Sequence, residues 1–444
     1  MNHGHSGNPA QEPVAVTGMA VMLPGADDLD RYWHNLLTGV DAISEVPPGR
    51  WDEDEYRSGA IYCRRGGFVD DRLTGFDPVA FGIMPDSVPA TEPDQLIALR
   101  TAAAAIADAG GLATVDPARV GVVLGRGGYL TPGLARLDQR VRTVGQLTRT
   151  LRELLPELGD ERLAQVRTAF EEALGPDSPD AVIGLVPNFA ASRIANRLDL
   201  RGPAYTIDAA CASSLLAVGQ AVGELTAGRC DVMLAGGVHH CHDVTLWSVF
   251  ARLGALSRTQ RIRPFHRDAD GVLMGEGTAV LVLKRLADAV RDGDRVYAVV
   301  RGTGVAGDGR AAALVNPDPD GQTRAVRLAW EAAGLDPAAP GAIGLLEAHG
   351  TGTPNGDAAE ITTLRRVFGT GREPDAVIGS VKSMIGHTMP AAGAAGWSRP
   401  RSPSITRCCC PPCTATTPTP SCSPPASARP RWPAPGRRRC AGPG

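Results

Sequence analysis

The sequence predicts an α/β layered protein, and three observations carry that reading. Short apolar, strand-like runs alternate with helix-like segments over residues 13–396. Several of those runs end in glycine-rich loops. A length of 444 residues supplies enough chain to bury the core of two domains or of one two-lobed unit.

Val14–Ala20 reads as a buried strand. Thr91–Ala109 reads as a helix with Thr91 as its cap, Asp94 in the first turn and Gly110–Gly111 at the stop. Val120–Leu124 is a strand running into glycines. Val144, Leu147, Leu151, Leu154 and Leu158 recur near helical spacing, as do Leu163, Val166, Phe170 and Leu174, so an insertion of two amphipathic helices is expected over about 126–180. Tyr205–Ala209 is a strand ending at Cys211, followed by a helix over Ser213–Ala227 and a strand over Val232–Val238. A second set begins near Arg263, with strands at Thr278–Leu283 and Val296–Arg301 and a helix at Thr323–Ala333. Short strands at Ile343–Glu347 and Val377–Val381 then lead into loops. The halves share a strand–helix texture without a sequence repeat.

A net charge of -3 gives no reason to expect a nucleic-acid or anionic-membrane partner. No apolar run approaches the roughly 20 residues that span a bilayer. The opening MNHGHSG has neither the basic flank nor the apolar stretch of a secretion signal, so residues 1–12 are expected to be disordered and the protein cytoplasmic. Of the 45 basic residues only Lys284 and Lys382 are lysine. Either an amine is needed at those places or both are survivors of codon bias.

Residues 397–444 are chemically different. They hold 12 of the 36 prolines, six of the ten cysteines, eight arginines and no acidic residue, which leaves about -11 on residues 1–396. A disordered linker is one reading. A metal site at Cys408, Cys409, Cys410 and Cys413 is another, without paired spacing or a second ligand group. The third and favoured reading is a frameshift. Back-translating from Gly396 with GC-rich codons and shifting the frame spells Leu-Val-Lys-Ala-Ala-Leu-Ala-Leu-Tyr-His-Gln-Val, an apolar helix.

Chemistry concentrates at three strand ends. Cys211 lies in DAACASS, where a strand gives way to a small-residue helix whose positive end favours thiolate; the alternative is an ordinary buried cysteine. His349 lies in EAHGTGTP, and Lys382 and His387 lie in GSVKSMIGH, each just after a strand. Open α/β sheets place ligands outside such strand ends. A cysteine hydrolase would also join Cys to His, but a second His and a Lys are surplus to it. His239-His240-Cys241-His242 offers clustered ligand types without a spaced pair.

DAACASS, EAHGTGTPNGDAAE and GSVKSMIGH resemble the three active-site motifs of β-ketoacyl synthases, the condensing enzymes of fatty-acid and polyketide synthesis. VTGMAVMLPGADDLDRYWHNLLTGVDAISEVPPGRWD, RRGGFVDDRLTGFDPVAFGIMP, RPFHRDADGVLMGEGTAVLVLK and GLVPNFAASRIANRLDLRGPAYTIDAACASS are similar to ketosynthase domains of type I polyketide synthases. The resemblance covers about residues 13–396. The insertion after LGRGGYL resembles the subgroup near polyunsaturated-fatty-acid and glycolipid synthases.

The resemblance implies a thiolase-like fold of two similar α/β halves, with sheets between helices, paired as a homodimer. Residues 13–262 and 263–396 would form the halves, the second incomplete. It implies that Cys211 takes an acyl group from a carrier-protein thioester, and that His349 and His387 bind the malonyl carbonyl and stabilise the enolate left by decarboxylation. Lys382 would position the site and fix the charge of a neighbouring imidazole, with Glu360 as its pairing acid. Thr351 and Thr353 would hydrogen-bond the phosphopantetheine arm, or else stabilise a turn. Substrates would arrive on the phosphopantetheine of an acyl carrier protein, with no bound cofactor or metal. A late Gly-Phe-Gly-Gly loop, which in the family donates to the acyl oxyanion, is absent from this sequence. The alternative expectation is therefore an inactive remnant with a structural or interaction role.

Overall fold

The computed structural model describes residues 11–51, 61–69, 75–128, 131–175, 177, 179–240, 243–310, 316–370 and 376–398. The expectations for residues 1–10 and for the tail beyond Ser398, its cysteines included, lie outside the described residues.

The main sheet is built from β1 (Val14–Met22), β4 (Val120–Gly125), β5 (Ala204–Ile207), β6 (Val232–His239), β7 (Gly277–Arg285) and β8 (Ala298–Val300), in the order β5-β4-β6-β7-β1-β8. β4 runs parallel to β5 and β6, whereas β7 is antiparallel to both β6 and β1. Every residue of β1, β4 and β6 is buried, as a sheet covered on both faces requires. Alternation assigns the side chains. Val122, Leu124, Leu234 and Val282 pack with Leu96, Leu99 and Ala102 of the helix Pro93–Asp108. Val123, Met233, Leu281 and Leu283 pack with Ala217, Val218 and Leu225 of the helix Ser213–Thr226 on the other face. Each fully buried aliphatic side chain contributes about 1.5–3 kcal/mol. Gly18, at a bulge of β1, lets the first helix approach so closely that a Cβ there would lie 2.6 Å from Ala105 O.

A small hairpin of β2 (Ile43–Glu45) and β3 (Arg65–Gly67) packs with Trp51, Phe68 and Trp247 in a separate cluster. The second half contains β9 (Leu345–Glu347) parallel to β10 (Val377–Gly379), beside the helices Pro319–Ala333 and Pro354–Phe368. Unlike β4, β9 is only half-buried, and among the described residues no strand flanks its other edge.

The expected division at 262/263 would part β7 and β8 from the main sheet, in which β7 lies between β6 and β1 and β8 flanks β1. The strands and helices otherwise fall close to their expected positions, with different ends. The helix expected from Thr91 starts at Pro93, and Thr91 Oγ1 instead donates to Ser87 O at 2.8 Å. Proline at the first helical position needs no N–H partner and moves the start past Thr91. The insertion forms helices at Val144–Leu154 and Gly159–Ala173, in which only Val144 and Leu163 are buried.

Lys284 has a specific structural place. Its ammonium reaches Asp292 (2.5 Å) and Asp294 (2.7 Å), and these bonds raise its pKa against the opposing effect of burial. No helix among the described residues is long and apolar enough to cross a membrane.

Candidate active site

Past Ile207 the chain enters a tight 3-10 turn at Ala210–Ala212, with Ala210 in the left-handed region at φ 50°. A side chain at positive φ carries strain that its surroundings must hold. Ser213 Oγ does so by donating to Ala210 O (2.6 Å) and accepting the Ala209 N–H (2.8 Å). Cys211 thus stands at the approach to the helix Ser213–Thr226.

His387 is seated by three glycines. A Cβ on Gly67 would lie 1.8 Å from Ile385 O, and one on Gly275 would lie 2.4 Å from it. Gly386, at φ 72°, runs against Met274 O. Stripped of side chains, these backbones pass close enough for His387 N to donate to Leu273 O (2.7 Å) and Gly275 N to donate to His387 O (2.8 Å). Sequence reasoning missed this cradle, although its signal stands in the RRGGF and VLMGEG segments. Gly67→Ala is expected to destabilise the fold by about 1–3 kcal/mol. The unfolding midpoint in denaturant checks this, and an unchanged midpoint would contradict the packing described.

The three expected strand ends meet. His387 Nε2 lies 3.0 Å from Cys211 Sγ, and the His349 ring stands edge-on to the His387 ring with centroids 5.4 Å apart. The Met389 N–H donates to His387 Nδ1 at 3.2 Å, which leaves the proton of the neutral ring on Nε2. That N–H points at the sulphur. His387 therefore faces the nucleophile as a donor rather than as a proton acceptor.

Charge is set by burial and one cation. His387 is held well below the usual histidine range by burial, then by Lys382, His349 and His239. His349 is lowered by the atoms packed around its ring and by Lys382, although the residue keeps a solvent-exposed face. Both imidazoles are neutral at pH 7. Burial pushes the Cys211 thiol up, with Lys382 opposing. The expectation that the helix end would favour thiolate is thus outweighed, because desolvation penalises the anion more than the dipole and ammonium relieve it. Iodoacetamide alkylation of Cys211, followed by mass spectrometry, is expected to keep accelerating above pH 9. Lys382→Met is expected to slow it at pH 8, about tenfold for each unit the thiol rises. A rate that levels off near pH 7 would contradict this electrostatic balance.

Glu360 attracts Lys382 as expected, and it does a second task as well. Its two oxygens accept the backbone N–H groups of His349 (2.7 Å) and Gly350 (2.8 Å). A carboxylate satisfied by two amides at the start of a loop holds that loop in place. Asp357 does the same for Gly352 N (3.2 Å) and Phe265 N (2.6 Å). Thr351 and Thr353 share a 2.9 Å hydrogen bond between their hydroxyls, Thr351 being buried. His239 and His240 are buried, and His240 Nε2 bonds Thr278 Oγ1 at 2.8 Å. Cys241 and His242 lie outside the described residues, and among those described no group of three ligand side chains could hold a metal.

Residues 11–289 match the family described as the β-ketoacyl synthase N-terminal domain, and residues 297–399 match its C-terminal domain. A polyunsaturated fatty acid synthase protein of Thraustochytrium is 35% identical over 405 residues, covering 86% of this chain and 14% of that protein. A mycocerosic acid synthase-like polyketide synthase of Mycolicibacterium smegmatis is 38% identical over 391 residues, covering 86% of this chain and 17% of that protein. The solved ketosynthase from module 6 of the bacillaene synthase of Bacillus subtilis superposes with a TM-score of 0.72 at 32% identity, over 87% of this chain and 60% of that one. The chain thus spans less than a fifth of these curated synthases.

Proposed function

The chain belongs to the β-ketoacyl synthase family, and from that premise we propose that it joins an acyl group held on Cys211 to a malonyl-type unit by decarboxylative Claisen condensation. The observation that carries the proposal is the 3.0 Å contact of His387 Nε2 with Cys211 Sγ beside the His349 ring.

Cys211 loses its proton to solvent, and the thiolate attacks the carbonyl of an acyl carrier-protein thioester. The tetrahedral adduct expels the phosphopantetheine thiolate, which takes up a proton, and the acyl group stays on sulphur. A malonyl thioester then enters with its carbonyl oxygen against the two imidazoles. Loss of carbon dioxide passes the C–C electron pair into that carbonyl, and the N–H groups of neutral His349 and His387 stabilise the oxyanion where it develops. The enolate carbon attacks the acyl-Cys211 carbonyl, and collapse returns the thiolate. A neutral imidazole suits this work because it donates without giving up its proton to the enolate.

Thr351 and Thr353, already bonded to each other, line the His349 loop where their hydroxyls would meet the phosphopantetheine arm. The acyl carrier protein is the partner, two copies of the chain form a homodimer, and the reaction belongs in the cytoplasm. Incubation with acyl and malonyl carrier thioesters tests the proposal by release of carbon dioxide and appearance of a 3-oxoacyl carrier.

A second reading rests on one observation. The site stays partly open to solvent: His349 is exposed and the strand β9 that leads to it is half-buried. An uncovered site leaves charges hydrated and transition-state stabilisation weaker. Folded protein that forms neither product would favour an inactive remnant with a structural or interaction role.

A further inference from the structure

Lys382 is 5% exposed, and a buried ammonium requires a compensating charge. Two acids are available within the site. Glu360, on the helix Pro354–Phe368, gives both oxygens to the N–H groups of His349 and Gly350, so it is fixed on the His349 loop while it attracts the ammonium from there. Glu347 ends β9 opposite Gly379 of β10, and its Oε1 accepts the Val381 N–H at 2.7 Å. Val381 is the residue immediately before Lys382. The same carboxylate therefore fixes the turn that carries the ammonium.

The side chain of Glu347 is also confined. Gly396, in the helix Ala392–Trp397, lies so close that a Cβ there would stand 2.8 Å from Glu347 Cγ. Burial lowers the proton affinity of Lys382, and the carboxylates of Glu347 and Glu360 oppose it. In turn, Lys382 acts on Cys211, His349 and His387. A carboxylate at position 347 thus sits one step behind every reacting group.

We propose that Glu347 is the positioning residue of Lys382, its counter-charge and the clamp of its turn, while Glu360 serves the His349 loop; this deepens the condensing-enzyme reading given above. Glu347 touches no reacting atom and acts through the lysine.

The scarcity of lysine makes the test direct. Labelling the full chain with lysine carrying carbon-13 at Cε yields two side-chain signals, from Lys382 and Lys284, and Lys284 is an internal standard because Asp292 and Asp294 hold it elsewhere. Glu347→Gln keeps an oxygen for the Val381 N–H while removing the charge. It is expected to lower the titration midpoint of the Lys382 signal by about one pH unit, roughly a tenfold loss of proton affinity. Glu360→Gln is expected to move it less, with the Lys284 signal unmoved in both variants. An unmoved Lys382 midpoint in Glu347→Gln, or an equal or larger shift in Glu360→Gln, would overturn the proposal. Should Glu347→Gln fail to fold, Glu347→Asp withdraws the charge by one methylene; a smaller shift of the same sign supports the proposal, and no shift overturns it. The measurement needs no turnover, so its outcome is separate from whether the chain condenses acyl groups.

Discussion

Cys211→Ala is expected to abolish condensation, by roughly 10⁴- to 10⁶-fold, the scale seen when members of a covalent catalytic group are removed. Decarboxylation of a malonyl carrier thioester is expected to survive. The separation follows from the geometry. The sulphur is needed to hold the acyl group, but the donors that receive the enolate charge belong to His349 and His387, whose rings meet without it. His387 keeps its orientation in the variant, because its place is set by Met389 N on Nδ1 and by the glycine cradle. Carbon dioxide release and 3-oxoacyl product are followed in parallel. Loss of both activities together in a folded variant would mean that the sulphur and the rings do not divide the labour as described.

His387→Ala is expected to lower decarboxylation on the order of 100- to 1000-fold, the effect of losing one preorganised oxyanion donor. His387→Gln offers a finer test, since its amide can place an N–H near the former Nε2 and restore part of the rate. Acylation of Cys211 is expected to fall far less, because the Nε2–H is a donor toward sulphur and not the acceptor of its proton. If acylation instead collapsed while decarboxylation persisted, His387 would be the general base, and its tautomer would be the reverse of the one its Met389 contact dictates.

Much of the site was legible in the sequence because chemistry-bearing residues stood at strand ends. Cys211, His349, Lys382 and His387 each follow an apolar run that became a strand; the parallel pairing of β9 and β10 brings the ends before His349 and Lys382 together, while Cys211 comes from β5 of the main sheet. What escaped was the hydrogen bonding. Spacing places Glu360 near the site but says nothing about which donors its oxygens meet, and those are two backbone N–H groups of the His349 loop. The thiol was misjudged for a similar reason, since the helix end is local and visible whereas desolvation is a property of the packed surroundings.

In the fold, β7 and β8 were the elements misplaced. Their composition shows strands but not the sheet they join, and the long return that sets β7 between β6 and β1 and β8 on the far side of β1 leaves no local pattern. The glycines at 67, 275 and 386 were hidden because a close backbone contact between distant segments looks like any other turn glycine. Lys284 likewise gained its meaning only when the fold brought Asp292 and Asp294 to it.

Peptide mapping by mass spectrometry after incubation with an acyl carrier-protein thioester tests most directly whether Cys211, His349 and His387 form one thioester-handling centre. A single acyl adduct on Cys211 is expected, formed in preference to buried Cys63 and Cys230 and reduced by Lys382→Met. Folded protein that carries no adduct on Cys211, or carries it on another side chain, would contradict that assignment.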